Sequence, residues 1–335
     1  MAQFDLSVPA LRDFTADLPE PADFDAFWSS TIDQARQADL GLTVQPYPTP
    51  WRHVDTYDLS YAGYGGTQVK AWLTVPAGAT GPLPAVVQYH GYSGGRSFPH
   101  TAMNWAVAGY AHLSMDTRGQ GYSGGAPTAP TPDQHVDAGS AHYPGFMTVG
   151  ITDPSAYYYR RVYTDAVRLL EAAQTLDLVD GSKIILTGGS QGGGITLAAA
   201  GLAPLIGLDL LAAAPDVPFL CAFPRALQIT DANPYGEITK YLAGWRDQVD
   251  TAYTTLSYFD GALLGQRAKA PALFSVALMD LVCPPSTVFA AFNRYGSIGN
   301  PGVAKDIKVY SHNGHEGGGA YQTLVQAEFF ASLVG

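Results

Sequence analysis

The strongest indication of the fold is the segment Lys183-Ile184-Ile185-Leu186-Thr187-Gly188-Gly189-Ser190-Gln191-Gly192. Its first half is a short apolar run typical of a buried strand, and residues 195–203 form a predicted helix. Ser190 therefore stands on a tight turn between a strand and a helix, where small flanking glycines avoid steric clashes. This context predicts that Ser190 is an exposed nucleophile. The alternative is a glycine-rich turn without chemistry.

Short apolar runs occur on both sides of this stretch. The predicted strands cover residues 85–89, 111–115, 183–187, 208–214, 272–277 and 307–310. Residues 159–173 carry their apolar side chains on one helical face. Apolar strands that alternate with helices predict the α/β class, with a mostly parallel sheet flanked by helices. In such sheets, ligands bind beyond the carboxyl ends of the strands.

The whole chain, residues 1–335, is predicted to form a single α/β domain. Residues 1–80 are an N-terminal extension with the early strands, and they include a predicted helix near 24–38 and a strand at 67–75. Residues 215–269 are long, aromatic and polar, and they interrupt the alternation of strands and helices. We interpret them as an insertion that caps the pocket, and the alternative is a helical insertion without that role.

A serine becomes a strong nucleophile when a histidine, itself held by a carboxylate, accepts its proton. On this kind of fold, the acid and the histidine follow the serine in that order. Asp280 follows the predicted strand 272–277, and His315 follows the strand that ends at residue 310. These positions predict Asp280 and His315 as the partners of Ser190. The alternatives are a helix N-cap role for Asp280, and His312 as the base.

The sequence predicts neither a metal nor a cofactor. The three-residue spacing of His312 and His315 would suit a metal pair, but no third ligand stands out and His-Glu-x-x-His is absent. A dinucleotide-binding fingerprint that starts at Gly192 fails, because Leu197 stands where its third glycine would be. A phosphate-binding loop motif is absent as well.

An acyl-transfer site also needs hydrogen-bond donors for a developing oxyanion. The Gln191 backbone N–H follows the serine directly, on the turn that leads into the predicted helix, and is one candidate. The loop His90-Gly91-Tyr92-Ser93-Gly94-Gly95 offers the Tyr92 backbone N–H as the second, although His90-Gly91 alone could be a tight turn. We interpret Arg118 as part of a structural ion pair or a carbonyl clamp, rather than as an active-site cation.

Composition excludes several classes of protein. The chain has 18 Lys and Arg against 29 Asp and Glu, a net charge of −11, so a nucleic-acid partner is not expected. The N-terminus lacks a signal peptide pattern, and no apolar stretch reaches roughly 18 residues, which argues against a membrane protein. Cys221 and Cys283 are predicted to be reduced thiols of a cytoplasmic protein, and a single bridge is the alternative.

The chain resembles the acetyl xylan esterase and cephalosporin C deacetylase family, carbohydrate esterase family 7. The resemblance rests on Arg118-Gly119-Gln120, Gly188-Gly189-Ser190-Gln191-Gly192 and His315-Glu316, in this order along nearly the whole chain. Further matches are Tyr157-Tyr158-Tyr159-Arg160-Arg161, Pro218-Phe219-Leu220-Cys221 and Met279-Asp280. One departure is Ala222-Phe223-Pro224-Arg225, where family members usually carry Asp-Phe-Arg-Arg; it leaves the motifs for chemistry intact.

This resemblance implies an α/β-hydrolase fold and a cytoplasmic serine esterase that needs no metal. It would release acetate from small acetylated substrates such as xylo-oligosaccharides and cephalosporin C, and it would commonly assemble as a homo-hexamer. The rival hypotheses are a broad short-chain carboxylesterase, a peptidase on the same fold, or a non-catalytic binding protein. The site residues implied by the resemblance are a triad of Ser190, Asp280 and His315, oxyanion donors at Tyr92 and Gln191, and Phe219 and Pro234 lining an acetyl-sized pocket.

Overall fold

The computed structural model describes residues 3–122, 131–134 and 141–335. The strands are β1 (Thr43–Pro46), β2 (Val54–Ala62), β3 (Gln68–Pro76), β4 (Leu83–Tyr89), β5 (Ala111–Met115), β6 (Val179–Gly189), β7 (Ala212–Asp216), β8 (Ala272–Ala277) and β9 (Lys305–Tyr310). The α-helices are α1 (Val8–Arg12), α2 (Phe24–Arg36), α3 (Asn104–Val107), α4 (Tyr158–Gln174), α5 (Gln191–Leu202), α6 (Phe223–Ile229), α7 (Tyr235–Gly244), α8 (Val249–Ser257), α9 (Gly261–Leu264), α10 (Pro285–Arg294) and α11 (Gly319–Val334).

All of these strands form one twisted sheet in the order β1-β2-β3-β5-β4-β6-β7-β8-β9. The first three strands are antiparallel neighbours, and β3 is antiparallel to β5. From β5 to β9 every neighbouring pair is parallel. The predicted α/β class with a mostly parallel sheet is therefore confirmed. All residues of β5 and β8 are buried, as expected for strands covered on both faces.

Helices pack on both faces of this sheet. Successive side chains of a strand point to opposite faces, and in β4 Val86 and Val87 accordingly belong to two different apolar clusters. The larger cluster lies under α4 and α5, and the smaller one includes Trp105 and Phe330 of α3 and α11. Because every residue of α5 is buried, this helix packs on the sheet below and on other helices above.

Element boundaries differ from the sequence prediction at two places that border the site. The helix predicted for residues 195–203 begins at Gln191, directly after Ser190. Glycines weaken helix propensity, so the sequence pattern missed the first turn, which tertiary packing stabilises. The strand predicted for residues 208–214 begins only at Ala212 and ends at Asp216.

Residues 215–269 contain four α-helices, α6 to α9, between the end of β7 and the start of β8. Aromatic rings hold this insertion together: Phe219 packs against Tyr235 with ring centroids 4.3 Å apart. The N-terminal helix α2 is tied to it, because the Trp28 indole N–H donates to the Tyr258 carbonyl at 2.9 Å. The insertion is thus anchored to the rest of the domain.

Two further findings bear on the sequence analysis. Cys221 and Cys283 are both buried and free, so the alternative of a bridge between them is not adopted. Within residues 3–122, 131–134 and 141–335, we find no helix whose length and apolar character would let it cross a bilayer.

Candidate active site

Ser190 sits on a sharp turn between β6 and α5. Its backbone has φ 57° and ψ −120°, a conformation that a non-glycine residue rarely adopts. The Ser190 N–H donates to the Asp216 carbonyl, and the Ser190 carbonyl accepts from the Phe219 N–H, both at 3.0 Å. A Cβ at Gly192 would lie 2.3 Å from the Tyr89 carbonyl oxygen, so only glycine lets α5 approach β4 here. The turn is thus bonded to the end of β7 and to Phe219, and α5 lies directly against β4.

The predicted nucleophile, base and acid form one hydrogen-bonded chain. His315 Nε2 lies 2.9 Å from Ser190 Oγ, and His315 Nδ1 lies 2.9 Å from Asp280 Oδ2. The other carboxylate oxygen accepts the backbone N–H groups of Val282 and Cys283 at 2.8 and 3.0 Å. Asp280 is fully buried, whereas about a third of the His315 side chain is exposed (35%). Such a chain can carry the proton of the serine hydroxyl to the imidazole.

The structure does not bring the alternative residues into this chain. His312 is exposed, and the hydrogen bonds to Ser190 and Asp280 come from His315. The residue that precedes α10 is Pro284, so Asp280 is not the N-cap of that helix.

Asp280, Cys283 and His315 place their possible ligand atoms within 4.8 Å of one another. Two of the three are already hydrogen-bonded to each other, and burial raises the pKa of the Cys283 thiol well above its usual value. A neutral buried thiol is a poor metal ligand. The arrangement therefore fits the proton relay better than a metal site.

The two N–H groups predicted to bind an oxyanion are those of Tyr92 and Gln191. Among the described residues, the Tyr92 N–H has no hydrogen-bond acceptor. The Gln191 N–H is the first of α5, and the first N–H groups of a helix have no acceptor within it. Within the part of the chain that the structure describes, neither N–H has a backbone or side-chain acceptor, and their role in an oxyanion site stays a prediction.

Two buried glutamines join the loop of Tyr92 to the serine turn. Gln191 Oε1 accepts from Gln120 Nε2 and from the Tyr159 hydroxyl, both at 2.9 Å. Gln191 Nε2 donates to the His90 carbonyl at 3.1 Å, and the Ser93 N–H donates to Gln120 Oε1 at 2.7 Å. The sequence marks Gln120 only as part of a motif and does not predict this link.

Arg118 is structural, in agreement with its interpretation from the sequence. It is fully buried, and its Nε and Nη2 atoms donate to the two Asp165 oxygens at 2.6 Å each. The Arg118 carbonyl accepts the Tyr158 hydroxyl. Arg118 therefore fixes the segment before Gln120 and has no direct contact with Ser190.

The two predicted pocket residues lie close together in the insertion. The fully buried Phe219 ring lies 6.4 Å from the Tyr92 ring, in an edge-on contact. Pro234 is buried, follows a cis peptide bond, and directly precedes Tyr235, which packs on Phe219. The role of both residues in an acetyl pocket stays a prediction.

A cavity of about 330 Å³ borders Ser190 and His315. Asp216 lies in its wall, and its carboxylate accepts the side-chain amides of Gln322 and Gln326 at 2.9 and 2.7 Å. Burial raises the pKa of Asp216 to about 7. Asp216 could not be predicted from the sequence, because no motif marks it and its partners lie more than 100 residues away.

A family model and two similar solved structures point to one family. A family model described as acetyl xylan esterase (AXE1) matches residues 1–333. The structure of an acetyl xylan esterase from Paenibacillus sp. R4 superposes with a TM-score of 0.89 at 37% identity, over 98% of this chain and 100% of that one. Acetyl xylan esterase 1 from Thermoanaerobacterium sp. JW/SL YS485 gives 0.86 at 30% identity, over 99% and 100%.

A curated relative is longer than this chain. The acetyl esterase Axe7A of Xylanibacter ruminicola is 27% identical over 280 residues, which is 82% of this chain. The match spans 60% of that relative's length.

Proposed function

This chain belongs to the acetyl xylan esterase family, and from that premise we propose that it is a serine esterase that releases acetate from small acetylated substrates. The observation that carries the proposal is the chain of hydrogen bonds from Ser190 through His315 to Asp280. The Gln191 N–H, directly after the serine at the start of α5, also supports it, because the first N–H groups of a helix have no acceptor within the helix.

In the first half of the reaction, Ser190 Oγ attacks the acetyl carbonyl while His315 Nε2 accepts the hydroxyl proton. Asp280 orients the imidazole and stabilises its positive charge. The carbonyl oxygen becomes an oxyanion that accepts hydrogen bonds from the Tyr92 and Gln191 N–H groups. When the intermediate collapses, the ester C–O bond breaks, the alcohol takes the proton from His315, and the acetyl group remains on Ser190.

In the second half, a water molecule replaces the alcohol. His315 takes a proton from this water as it attacks the acetyl carbonyl of the acyl-enzyme. The same two N–H groups stabilise the second oxyanion. The bond to Ser190 Oγ then breaks, the serine regains its proton from His315, and acetate leaves.

The family supports the proposed substrate class. Acetylated xylo-oligosaccharides and cephalosporin C-type esters both present an acetyl group to the serine. We propose that Phe219 and Pro234 limit the acyl group to a short chain and that residues 215–269 act as a cap. A broad short-chain carboxylesterase is the second candidate, because the hydrogen-bonded chain alone does not select the acyl length.

We also propose a cytoplasmic homo-hexamer. The family resemblance supports this assembly, and two buried free thiols suit a reducing compartment.

The test is acetate release from acetylated xylo-oligosaccharides, cephalosporin C and p-nitrophenyl esters of increasing acyl length. Ser190→Ala should lower kcat by several orders of magnitude, whereas Ser332→Ala, on the exposed face of α11, should match the wild type. A substantial rate in Ser190→Ala would refute the nucleophile. Equal turnover of long acyl chains in the wild type would leave the nucleophile in place and favour the broad carboxylesterase.

A further inference from the structure

Glu237 is a buried carboxylate at the contact between the insertion and the loop of Tyr92. It lies on α7 and is 5% exposed. The buried Asp165, by contrast, has the Arg118 guanidinium beside it. Among the described residues, Glu237 forms no ion pair, and burial raises its pKa. A buried carboxylate held by neutral donors is costly, so its contacts need a functional explanation.

Three chain segments meet at this carboxylate. The Tyr92 hydroxyl donates to both oxygens of Glu237, at 2.9 and 2.8 Å. The Met147 N–H donates to Oε2 at 3.2 Å, and the Phe146 N–H donates to the Tyr92 hydroxyl oxygen at 2.6 Å. Burial raises the pKa of Tyr92, so its hydroxyl remains a proton donor. The carboxylate thus joins α7, the Tyr92 loop and the segment 145–147.

A glycine leaves room for the Glu237 carboxylate, and two aromatic rings pack against Tyr92. Gly145 has φ +123°, and a Cβ there would lie 2.1 Å from Glu237 Oε2. The Tyr92 ring lies edge-on to Phe146 and Phe219, with centroids 5.7 and 6.4 Å away. The Tyr92 side chain is therefore held at its end by hydrogen bonds and along its ring by packing.

We propose that Glu237 is a positioning residue for the oxyanion site. By holding the Tyr92 hydroxyl, it fixes the Cα and hence the N–H of the same residue in the place that the oxyanion requires. This inference rests on the proposed function, in which that N–H stabilises the oxyanion. Such donors work when they are already oriented before the reaction, so a loosened loop should cost rate more than substrate binding.

The variants Tyr92→Phe and Glu237→Gln test this role. Tyr92→Phe removes one oxygen atom and keeps the ring and the backbone N–H. Losing an oxyanion donor outright costs about 100- to 1000-fold in kcat, so we expect a misplaced donor to cost roughly 10- to 100-fold, with KM within about twofold of wild type. Affinity for a boronic acid, whose adduct with Ser190 mimics the tetrahedral intermediate, should fall in parallel with kcat.

The matched control is Tyr295→Phe, which removes a buried hydroxyl bonded to the Ala270 carbonyl at 3.0 Å. It should keep the wild-type kcat and boronate affinity. Because both test variants act through one contact, the double variant should lose no more than the worse single variant. Multiplied losses in the double variant would contradict the proposal.

Two different results separate an error in the role of Glu237 from an error in the esterase mechanism. If Ser190→Ala is inactive while Tyr92→Phe keeps wild-type kcat and boronate affinity, positioning by Glu237 is wrong and the esterase mechanism stands. If Ser190→Ala is active, the mechanism itself is wrong. Should Glu237→Gln fail to fold, Tyr92→Phe alone still decides, since it leaves Glu237 bonded to the Met147 N–H.

Discussion

The backbone angles of Ser190 are unfavourable for any residue other than glycine. Contacts around the turn stabilise this conformation. The turn is bonded to β7 through Asp216 and to the insertion through Phe219. The first turn of α5 approaches β4 so closely that Gly192 leaves no room for a Cβ. The glycine at position 192 of the motif is therefore required for steric reasons, because it lets the helix after the nucleophile approach β4.

Gly192→Ala should therefore disturb the turn itself. The added Cβ would meet the Tyr89 carbonyl carbon and oxygen at 2.7 and 2.3 Å, and backbone atoms cannot move aside cheaply. We expect a loss of about 2–4 kcal/mol in the free energy of unfolding, measured by urea denaturation. The control is Gly189→Ala, whose Cβ would meet no atom within 4 Å and which should retain wild-type stability. Equal stability of the two variants would refute the steric argument.

Asp216 should make stability depend on pH. Its pKa of about 7 in the folded protein exceeds the ordinary 3.8, so between these values the folded state binds a proton that the unfolded state lacks. The free energy of unfolding contributed by this group therefore falls as pH rises from about 4 to 7. Asp216→Asn should remove this loss.

The measurement is urea unfolding of wild type and Asp216→Asn at pH 5 and pH 8. Relative to wild type, the variant should gain about 1–2 kcal/mol on going to pH 8, a value reduced by the solvent that reaches Asp216 from the cavity. Asp209→Asn, an exposed acid of the same type, should show no such gain. A constant difference between wild type and Asp216→Asn at both pH values would contradict the titration.

At the scale of elements, the buried ion pair between Arg118 and Asp165 joins the segment after β5 to α4. Asp165 also accepts the Tyr64 N–H at 2.8 Å, so the pair reaches the connection between β2 and β3. Burial raises the pKa of Asp165, and the Arg118 charge lowers it. The pair holds three separate elements around the Gln120–Gln191 contact.

Arg118→Met should be strongly destabilising, because it leaves a buried carboxylate without its bidentate partner. We expect a loss of about 3–5 kcal/mol in the free energy of unfolding at pH 7. The double variant Arg118→Met/Asp165→Asn removes the unpaired charge and should recover part of this loss. A single variant within about 1 kcal/mol of wild type would show that the pair is not structural.

The sequence predicted elements well where burial imposes a simple pattern. The strand at 111–115 and the strand at 272–277 match β5 and β8 residue for residue, because both are buried on both faces. The sequence pattern did not predict the first turn of α5, because its glycines have low helix propensity and tertiary packing stabilises the turn. The four helices of residues 215–269 could not be predicted individually. The spacing of their aromatic residues is set by tertiary packing and shows no helical periodicity.

The site could be predicted to a similar extent. Ser190 follows from its motif, and Asp280 and His315 follow from their positions after parallel strands. The structure shows all three within hydrogen-bond distance. The contacts of Glu237 with Tyr92 could not be predicted, because the two residues are 145 positions apart and no sequence motif contains both.

At the scale of the whole molecule, the surface has a cluster of exposed rings that we call the aromatic edge. It consists of Tyr47, Trp51, Phe98 and His100. The first three are 40–43% exposed, and the rings of Trp51 and Phe98 both pack against His100. This edge adjoins β1, the outer strand of the sheet, whose residues are all exposed. A bare edge strand next to exposed aromatic rings is a surface suited to association with another protein chain. We expect the partner to be a further copy of this chain.

Sedimentation velocity tests this expectation directly. A homo-hexamer would have six times the 35.5 kDa mass of the chain. The double variant Trp51→Ser/Phe98→Ser removes apolar contact area from the aromatic edge and should shift the mass toward single chains at low micromolar concentration. Trp245→Ser is the matched control, because Trp245 is equally exposed (43%) but lies in the insertion after α7. A wild-type mass of a single chain would refute the assembly, and an unchanged mass in the double variant would place the interface elsewhere on the surface.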